Sequence, residues 1–129
     1  GASYAEGPQV IAYESGQRYG GHFDGFDMNS ERGKAETAKG KGGQRLLTAL
    51  VYLSRVEKGG ATCFSKLRDT DGAQLCVQPE VGRLLVFSNC APRRSKVRDP
   101  LSLHSGEPVF QGTKWAFNLW FRQDERSRS

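Results

Sequence analysis

The sequence predicts an all-β or β-rich fold, a double-sheet jelly roll or barrel, and three observations lead there. Sixteen of the 129 residues are glycine, against a typical usage of about 7%. Short strand-like runs recur between turn signals such as Lys58-Gly59-Gly60 and the stretch from Asp69 to Gly72. The chain shows no internal repeat, and its length suits a single domain over residues 1–129 with one modest core. Many short strands with regular turns close most readily into two packed sheets or a barrel.

Strands are expected at 8–13, 19–24, 46–54, 61–65, 75–78, 83–88, 102–104 and 114–122, each rich in β-branched, aromatic or alternating apolar residues. Two stretches are loops by composition. One, 29–43, is rich in Gly, Lys and Glu and is long for a plain connection, which suits a flexible loop or a lid over a site. The other is the basic segment 91–99. In the last strand Trp115, Phe117, Leu119 and Phe121 alternate with Lys114, Asn118, Trp120 and Arg122. Strand side chains alternate between faces, so the first set is expected on a core and the second in a polar space. A lysine facing the interior there needs an anionic partner.

The net charge of +5 comes from 19 basic and 14 acidic residues, with much of the excess in 93–98 and in the tail from Arg122 to Arg128. The plain reading of these runs is a solvated loop and a frayed terminus, while a basic patch can also attract acidic partners or nucleic acid. The run 93–98 carries no stacking aromatics, which weighs against nucleic acid. The longest apolar run, 46–53, is far shorter than the roughly 20 residues that span a bilayer. Gly1, Ala2 and Ser3 are compatible with a cloning remnant, so the compartment, endoplasmic reticulum lumen or cytoplasm, stays open. Cys63, Cys76 and Cys90 have spacings unlike a zinc module. Cys63 and Cys76 can pair if their strands are neighbours; otherwise all three are small buried apolar residues.

The chain has two histidines, His22 and His104. On a strand His22 and Asp24 leave the same face about 7 Å apart, which suits two ligands on one metal. His104, near the end of a later strand, can complete the set. Two imidazoles and a carboxylate on one face leave coordination positions open, as non-haem iron(II) requires for oxygen chemistry, and zinc accepts the same donors. Gly20, Gly21 and Gly25 around His22 permit close approach of a ligand. Lys114 follows His104 by ten residues and can fix a distal carboxylate as a point charge.

Tyr13, Gly16, Gln17, Tyr19, His22 and Asp24 match the pattern Tyr-x-x-Gly-Gln-x-Tyr-x-x-His-x-Asp. Together with the segments 45–53, 56–64, 79–87, 102–109 and 112–120, in that order, they make the sequence resemble the prolyl 4-hydroxylase family. The resemblance runs from about Val10 to Phe121. It implies a double-stranded β-helix (a jelly roll) with iron(II), Fe(2+), held by His22, Asp24 and His104. It implies 2-oxoglutarate as cosubstrate, its distal carboxylate paired with Lys114, with dioxygen (O2) as oxidant and ascorbate as helper. By position, Tyr13, Thr62 and Trp120 resemble residues around the cosubstrate, and Tyr52 one that hydrogen-bonds its distal carboxylate. Tyr52, Thr62 and Trp120 also have ordinary readings as a core tyrosine, a strand residue and a packing residue.

Tyr19 and Arg45 resemble residues that contact the peptide near the target proline, and Arg122 stands where relatives often carry a histidine near the substrate. Arg45 and Tyr52 are seven apart and reach one site only if Arg45 lies at the strand end or a bulge intervenes. Ser65 replaces the usual proline after Phe64. With 21 residues before His22, little or no supporting helix is expected, and a sheet left uncovered favours self-association. The implied activity is hydroxylation of peptidyl proline coupled to decarboxylation of 2-oxoglutarate to succinate. The same chemistry on a non-proline substrate and a catalytically impaired binding domain are the alternatives.

Overall fold

Strand alternation and glycine turns assemble, in the computed structural model, into two antiparallel four-stranded sheets; the structure describes residues 4–126. The strands are β1 (Gln9–Tyr13), β2 (Tyr19–His22), β3 (Arg45–Tyr52), β4 (Lys58–Gly59), β5 (Thr62–Arg68), β6 (Gln74–Val77), β7 (Leu84–Ser88), β8 (His104–Gly106), β9 (Val109–Gln111) and β10 (Lys114–Arg122). One sheet has the order β1-β10-β3-β7, the other β2-β8-β5-β6, and β4 pairs with β9 in a short ribbon. Each sheet interleaves strands from both ends of the chain, which is the jelly-roll arrangement the sequence predicts.

The eight expected strands all form, with shifted ends. The segment expected at 102–104 begins only at His104, because Pro100–Ser102 make a 3-10 turn whose Asp99 cap accepts from Leu101 N. The expected turn at Lys58-Gly59-Gly60 contributes Lys58 and Gly59 to a strand pair too short to leave an alternation in sequence. Cys63 and Cys76 are cross-strand partners in β5 and β6 and form a disulfide, while Cys90 is free and buried.

Residues 29–43 are not a bare loop. They hold the helix α1 (Glu31–Glu36), capped by Ser30, whose hydroxyl oxygen accepts from Gly33 N at 2.9 Å. Gly33 is buried, packed so closely that a Cβ there would overlap the carbonyl of Asp27. Nor is the tail from 123 simply frayed: Gln123 N donates to Gln44 O and Asp124 N to Gly42 O, both at 2.8 Å. Residues 1–3 and 127–129, read from sequence as a cloning remnant and part of a tail, lie outside the described residues.

The core lies between the sheets, where Leu50, Tyr52 and Ala116 pack with Ile11, Leu85 and, from the opposite sheet, Val77. This reverses the facing expected for β10. Lys114, Ala116, Trp120 and Arg122 point inward and are buried, whereas Trp115 is 47% and Phe121 37% exposed. The interior of this roll takes polar and large amphipathic side chains. The apolar set Trp115, Phe117, Leu119 and Phe121 lies instead on the outer face. There Phe117 meets Val10 and Val51, and Phe121 meets Leu47. Among the described residues no layer covers that face completely, since Val10, Leu47, Leu84 and Val86 are also exposed.

Candidate metal centre and its pocket

β2 and β8 are antiparallel neighbours, and His22 and His104 are directly paired across them. Asp24 lies just beyond the end of β2. The Nε2 atoms of His22 and His104 lie 3.5 Å and 3.4 Å from the same carboxylate oxygen, Asp24 Oδ1. Each histidine sets its Nδ1 2.8 Å from a backbone carbonyl, Gly20 O for His22 and Ser102 O for His104. A carbonyl can only accept, so Nδ1 carries the proton and a neutral ring turns its Nε2 lone pair toward Asp24.

Two lone pairs facing a carboxylate call for a cation between them. Burial opposes a charge on His104, but the Asp24 carboxylate outweighs it and raises the imidazole pKa. Burial likewise opposes charge on Asp24, yet the two neighbouring imidazoles and the Thr48 hydroxyl hold its carboxyl well below the usual range. One donor atom from each residue lies within 4.8 Å of the others. This donor set fits a divalent metal of the iron(II) or zinc type, and the three residues leave further positions open.

The second oxygen of Asp24 is held separately. Oδ2 accepts from the Thr48 hydroxyl at 2.8 Å, and Thr48 Oγ1 accepts from Asn89 Nδ2 at 2.9 Å. Thr48 and Asn89 are fully buried. Residues 24–27 are also pinned: Gln44 Oε1 accepts from Phe26 N at 2.7 Å, and its Nε2 donates to Phe26 O at 2.8 Å and Lys96 O at 3.1 Å. Sequence reading missed Thr48, Asn89 and Gln44. Thr48 had a signal, being on the same face of β3 as Leu50 and Tyr52; the other two had none.

A cavity of about 350 Å³ opens beside the three ligands. Of the residues singled out from sequence, Tyr13, Tyr19, Arg45, Thr62, Lys114 and Trp120 line it with His22, Asp24 and His104. Lys114 is 3% exposed and, among the described residues, has no carboxylate within 4 Å. Burial pushes its ammonium pKa down to about 8. Trp120 carries a buried indole N–H without a hydrogen-bond partner. An unpaired buried cation and an orphaned donor in one cavity fit an anionic ligand.

The structure does not bring Tyr52 and Arg122 to the cavity wall. Tyr52 lies behind Thr62, its hydroxyl 2.6 Å from Thr62 Oγ1. Arg122 is 4% exposed; its Nε donates to Gly43 O and one Nη to Glu36 O. Its other Nη is 3.3 Å from Glu6 Oε2. Arg122 therefore anchors α1 and the following turn to β10, and sequence reading, which had it touching substrate, had no sight of those partners.

Arg45 does reach the cavity together with the face of β3 that carries Thr48, because β3 bulges. Phe121 pairs with Leu47 but Arg122 with Arg45, so one residue of β3 is extra. The Arg45 guanidinium sits 3.9 Å over the Trp120 ring and is held by Glu6 through bonds of 2.6 Å and 3.0 Å.

The profile of the 2OG-Fe(II) oxygenase superfamily matches residues 8–122. The chain is 36% identical to "Probable prolyl 4-hydroxylase 3" of Arabidopsis thaliana, over 96% of this chain and 45% of that protein. It is 39% identical to a "Putative prolyl 4-hydroxylase" of Acanthamoeba polyphaga mimivirus, over 92% of this chain and 46% of that one. It thus spans about half the length of these relatives. Among solved structures, the viral collagen prolyl hydroxylase of Paramecium Bursaria Chlorella virus-1 in its 2OG complex superposes with a TM-score of 0.73. It shares 33% identity, over 92% of this chain and 59% of that one.

Proposed function

Because the chain belongs to the 2OG-Fe(II) oxygenase superfamily, we propose that it hydroxylates proline in peptides, using 2-oxoglutarate and dioxygen. The observation that carries this reading is the single cavity joining the His22, Asp24, His104 donor set to the unpaired, buried Lys114. Its similarity to prolyl 4-hydroxylases supports the choice of proline.

His22, Asp24 and His104 would hold iron(II). Lys114 would hold the distal carboxylate of 2-oxoglutarate, with Thr62, Tyr13 and Trp120 forming the walls around it. Bound together, iron(II) and 2-oxoglutarate supply oxygen activation coupled to decarboxylation, which yields succinate and carbon dioxide.

The chain's own part is placement. The carbonyls of Gly20 and Ser102 fix the histidine tautomer, and Thr48 and Asn89 fix one oxygen of Asp24. Phe64 and Phe87 wall His104, with ring centroids at 5.7 Å and 4.9 Å, and keep water from that side. Tyr52 orients the Thr62 hydroxyl. Tyr19, half exposed at the rim over His22, offers a ring to an extended proline-bearing chain.

The test is succinate release with iron(II), ascorbate and 2-oxoglutarate, with and without proline-containing peptides. Peptide-stimulated release is expected. Release that no proline peptide stimulates would remove the proline assignment and leave the oxygenase chemistry; no binding of 2-oxoglutarate would remove both.

A further inference from the structure

The cavity does not end at the metal residues. Past Phe23 and Asp24 it continues into a second hollow of about 180 Å³, which shares Phe23, Asp24, Arg32 and Arg45 with the first. Three guanidinium groups line this extension: Arg32, Arg45 and Arg98. Arg45 is paired with Glu6, which Arg122 shares. Arg32 and Arg98 have no carboxylate within 4 Å among the described residues. The acidic groups in the hollow are Asp24, committed to the histidines, and Asp27, whose Oδ1 already accepts from Asn29 N.

Both free arginines are mounted on held segments. Arg98 lies with its guanidinium 4.0 Å over the Phe23 ring, beside the metal residues. Its loop is tied down by Gln44 Nε2 to Lys96 O, Asp99 N to Asn89 O and a bridge between Cys90 and Arg98. Arg32 sits in α1, seated by Gly33 against Asp27 and by Arg122 on the Glu36 carbonyl. The same loop carries Arg93, Arg94 and Lys96, all exposed. Most of the basic run is exposed, as a solvated loop would be, but its last arginine forms one wall of the hollow.

We infer that this extension is a subsite for acidic side chains of the peptide, so that the preferred substrate carries Asp or Glu close to the target proline. The inference rests on the peptide reading above. A peptide threaded past Asp24 needs a side chain that tolerates two unpaired cations and two aromatic rings, Phe23 and Phe26. A carboxylate can receive the Arg98 fork, whereas a lysine there would face like charge. Each such exposed pair is worth at most a few-fold in affinity and is screened by salt.

The experiment measures binding of fluorescent peptides to the protein loaded with iron(II) and 2-oxoglutarate under anaerobic conditions. Three peptides share one proline and differ only in flanking Glu, Ala or Lys. The Glu peptide is expected to bind roughly fivefold tighter than the Ala peptide per pair formed, and the Lys peptide weakest. The Glu preference should shrink at high salt. Arg98→Ser and Arg32→Ser should each shrink it further, and Arg98→Lys should retain more of it than Arg98→Ser. Equal binding of all three peptides, or a preference surviving both serine variants, overturns the subsite while the proline reading stands. Displacement of the Glu peptide by a short single-stranded oligonucleotide that binds more tightly would reassign the groove to nucleic acid. If no peptide binds although 2-oxoglutarate does, the peptide reading fails and takes this inference with it.

Discussion

The Thr48 hydroxyl donates to Asp24 Oδ2 at 2.8 Å, while Oδ1 of the same carboxylate faces both histidines. One side chain thus divides the carboxylate into an oxygen for the metal and an oxygen for the protein. Thr48 can donate outward because Asn89 donates to it from behind. Loss of such an outer-shell partner typically weakens a metal about 10- to 100-fold. Thr48→Val is expected to do so in an anaerobic iron(II) titration, and Thr48→Ser to restore most of the affinity. Unchanged affinity in Thr48→Val would mean the carboxylate needs no second anchor.

Lys114 divides its role from the metal ligands in a measurable way. Lys114→Met should weaken 2-oxoglutarate by about 100-fold or more, as expected when a buried anion loses its only cation, and leave iron(II) binding near wild type. Equal loss of both ligands would contradict the division.

The same lysine gives a pH dependence with a definite sign. In the ligand-free protein burial lowers its pKa from 10.5 to about 8. The charged form that binds a carboxylate is thus lost as pH rises through about 8. Affinity for 2-oxoglutarate should fall above that pH, approaching tenfold per unit, and should be flatter in Lys114→Met. A wild-type affinity constant from pH 7 to 10 would show that the ammonium is not the anchor.

How much of this was legible beforehand follows from what kind of contact each residue makes. His22, Asp24, His104 and Lys114 are legible because motif order places them without knowledge of the fold, although strand alternation alone falls short of Asp24, which lies beyond the end of β2. Arg45 lies seven residues before Tyr52, so Arg45 reaches the cavity only through a bulge in β3, and the register of Phe121 with Leu47 and Arg122 with Arg45 supplies it. The inward face of β10 is not legible in sequence, because apolar alternation ordinarily marks a core. The interior of this roll instead takes Lys114, Trp120 and Arg122, and the apolar set lies outside. Glu6, Asn89 and Gln44 were invisible because their partners are 39, 41 and 52 residues away in sequence.

Glu6 is the one carboxylate between two inward arginines. Burial raises its pKa, but the hydrogen bonds and charges of Arg45 and Arg122 outweigh that and hold it below 4.5. A depressed carboxyl pKa stabilises the fold above its unfolded value and loses that contribution as pH falls through the folded value. Glu6→Gln should therefore be less stable at neutral pH and converge with wild type in acid, below about 4.5. For this part-buried pair the loss should be about 1–2 kcal/mol, between the values typical of exposed and fully buried pairs, which thermal or urea unfolding reads directly. A gap that persists at low pH would point to packing rather than charge.

Gly33 tests whether α1 needs its seat. Gly33→Ala places a methyl group on the Asp27 carbonyl, so the helix must lift. A loss of about 1–3 kcal/mol is expected for such overpacking, with faster amide exchange across 31–37. An alanine variant as stable as wild type would show that α1 is free to shift.

The most direct test is mass spectrometry of a proline-containing peptide after reaction with iron(II), 2-oxoglutarate and heavy-isotope dioxygen. The expected result is one heavy oxygen atom on the proline with matching succinate, and none with His22→Ala. Succinate without labelled proline, or labelling that survives His22→Ala, would contradict the proposed function.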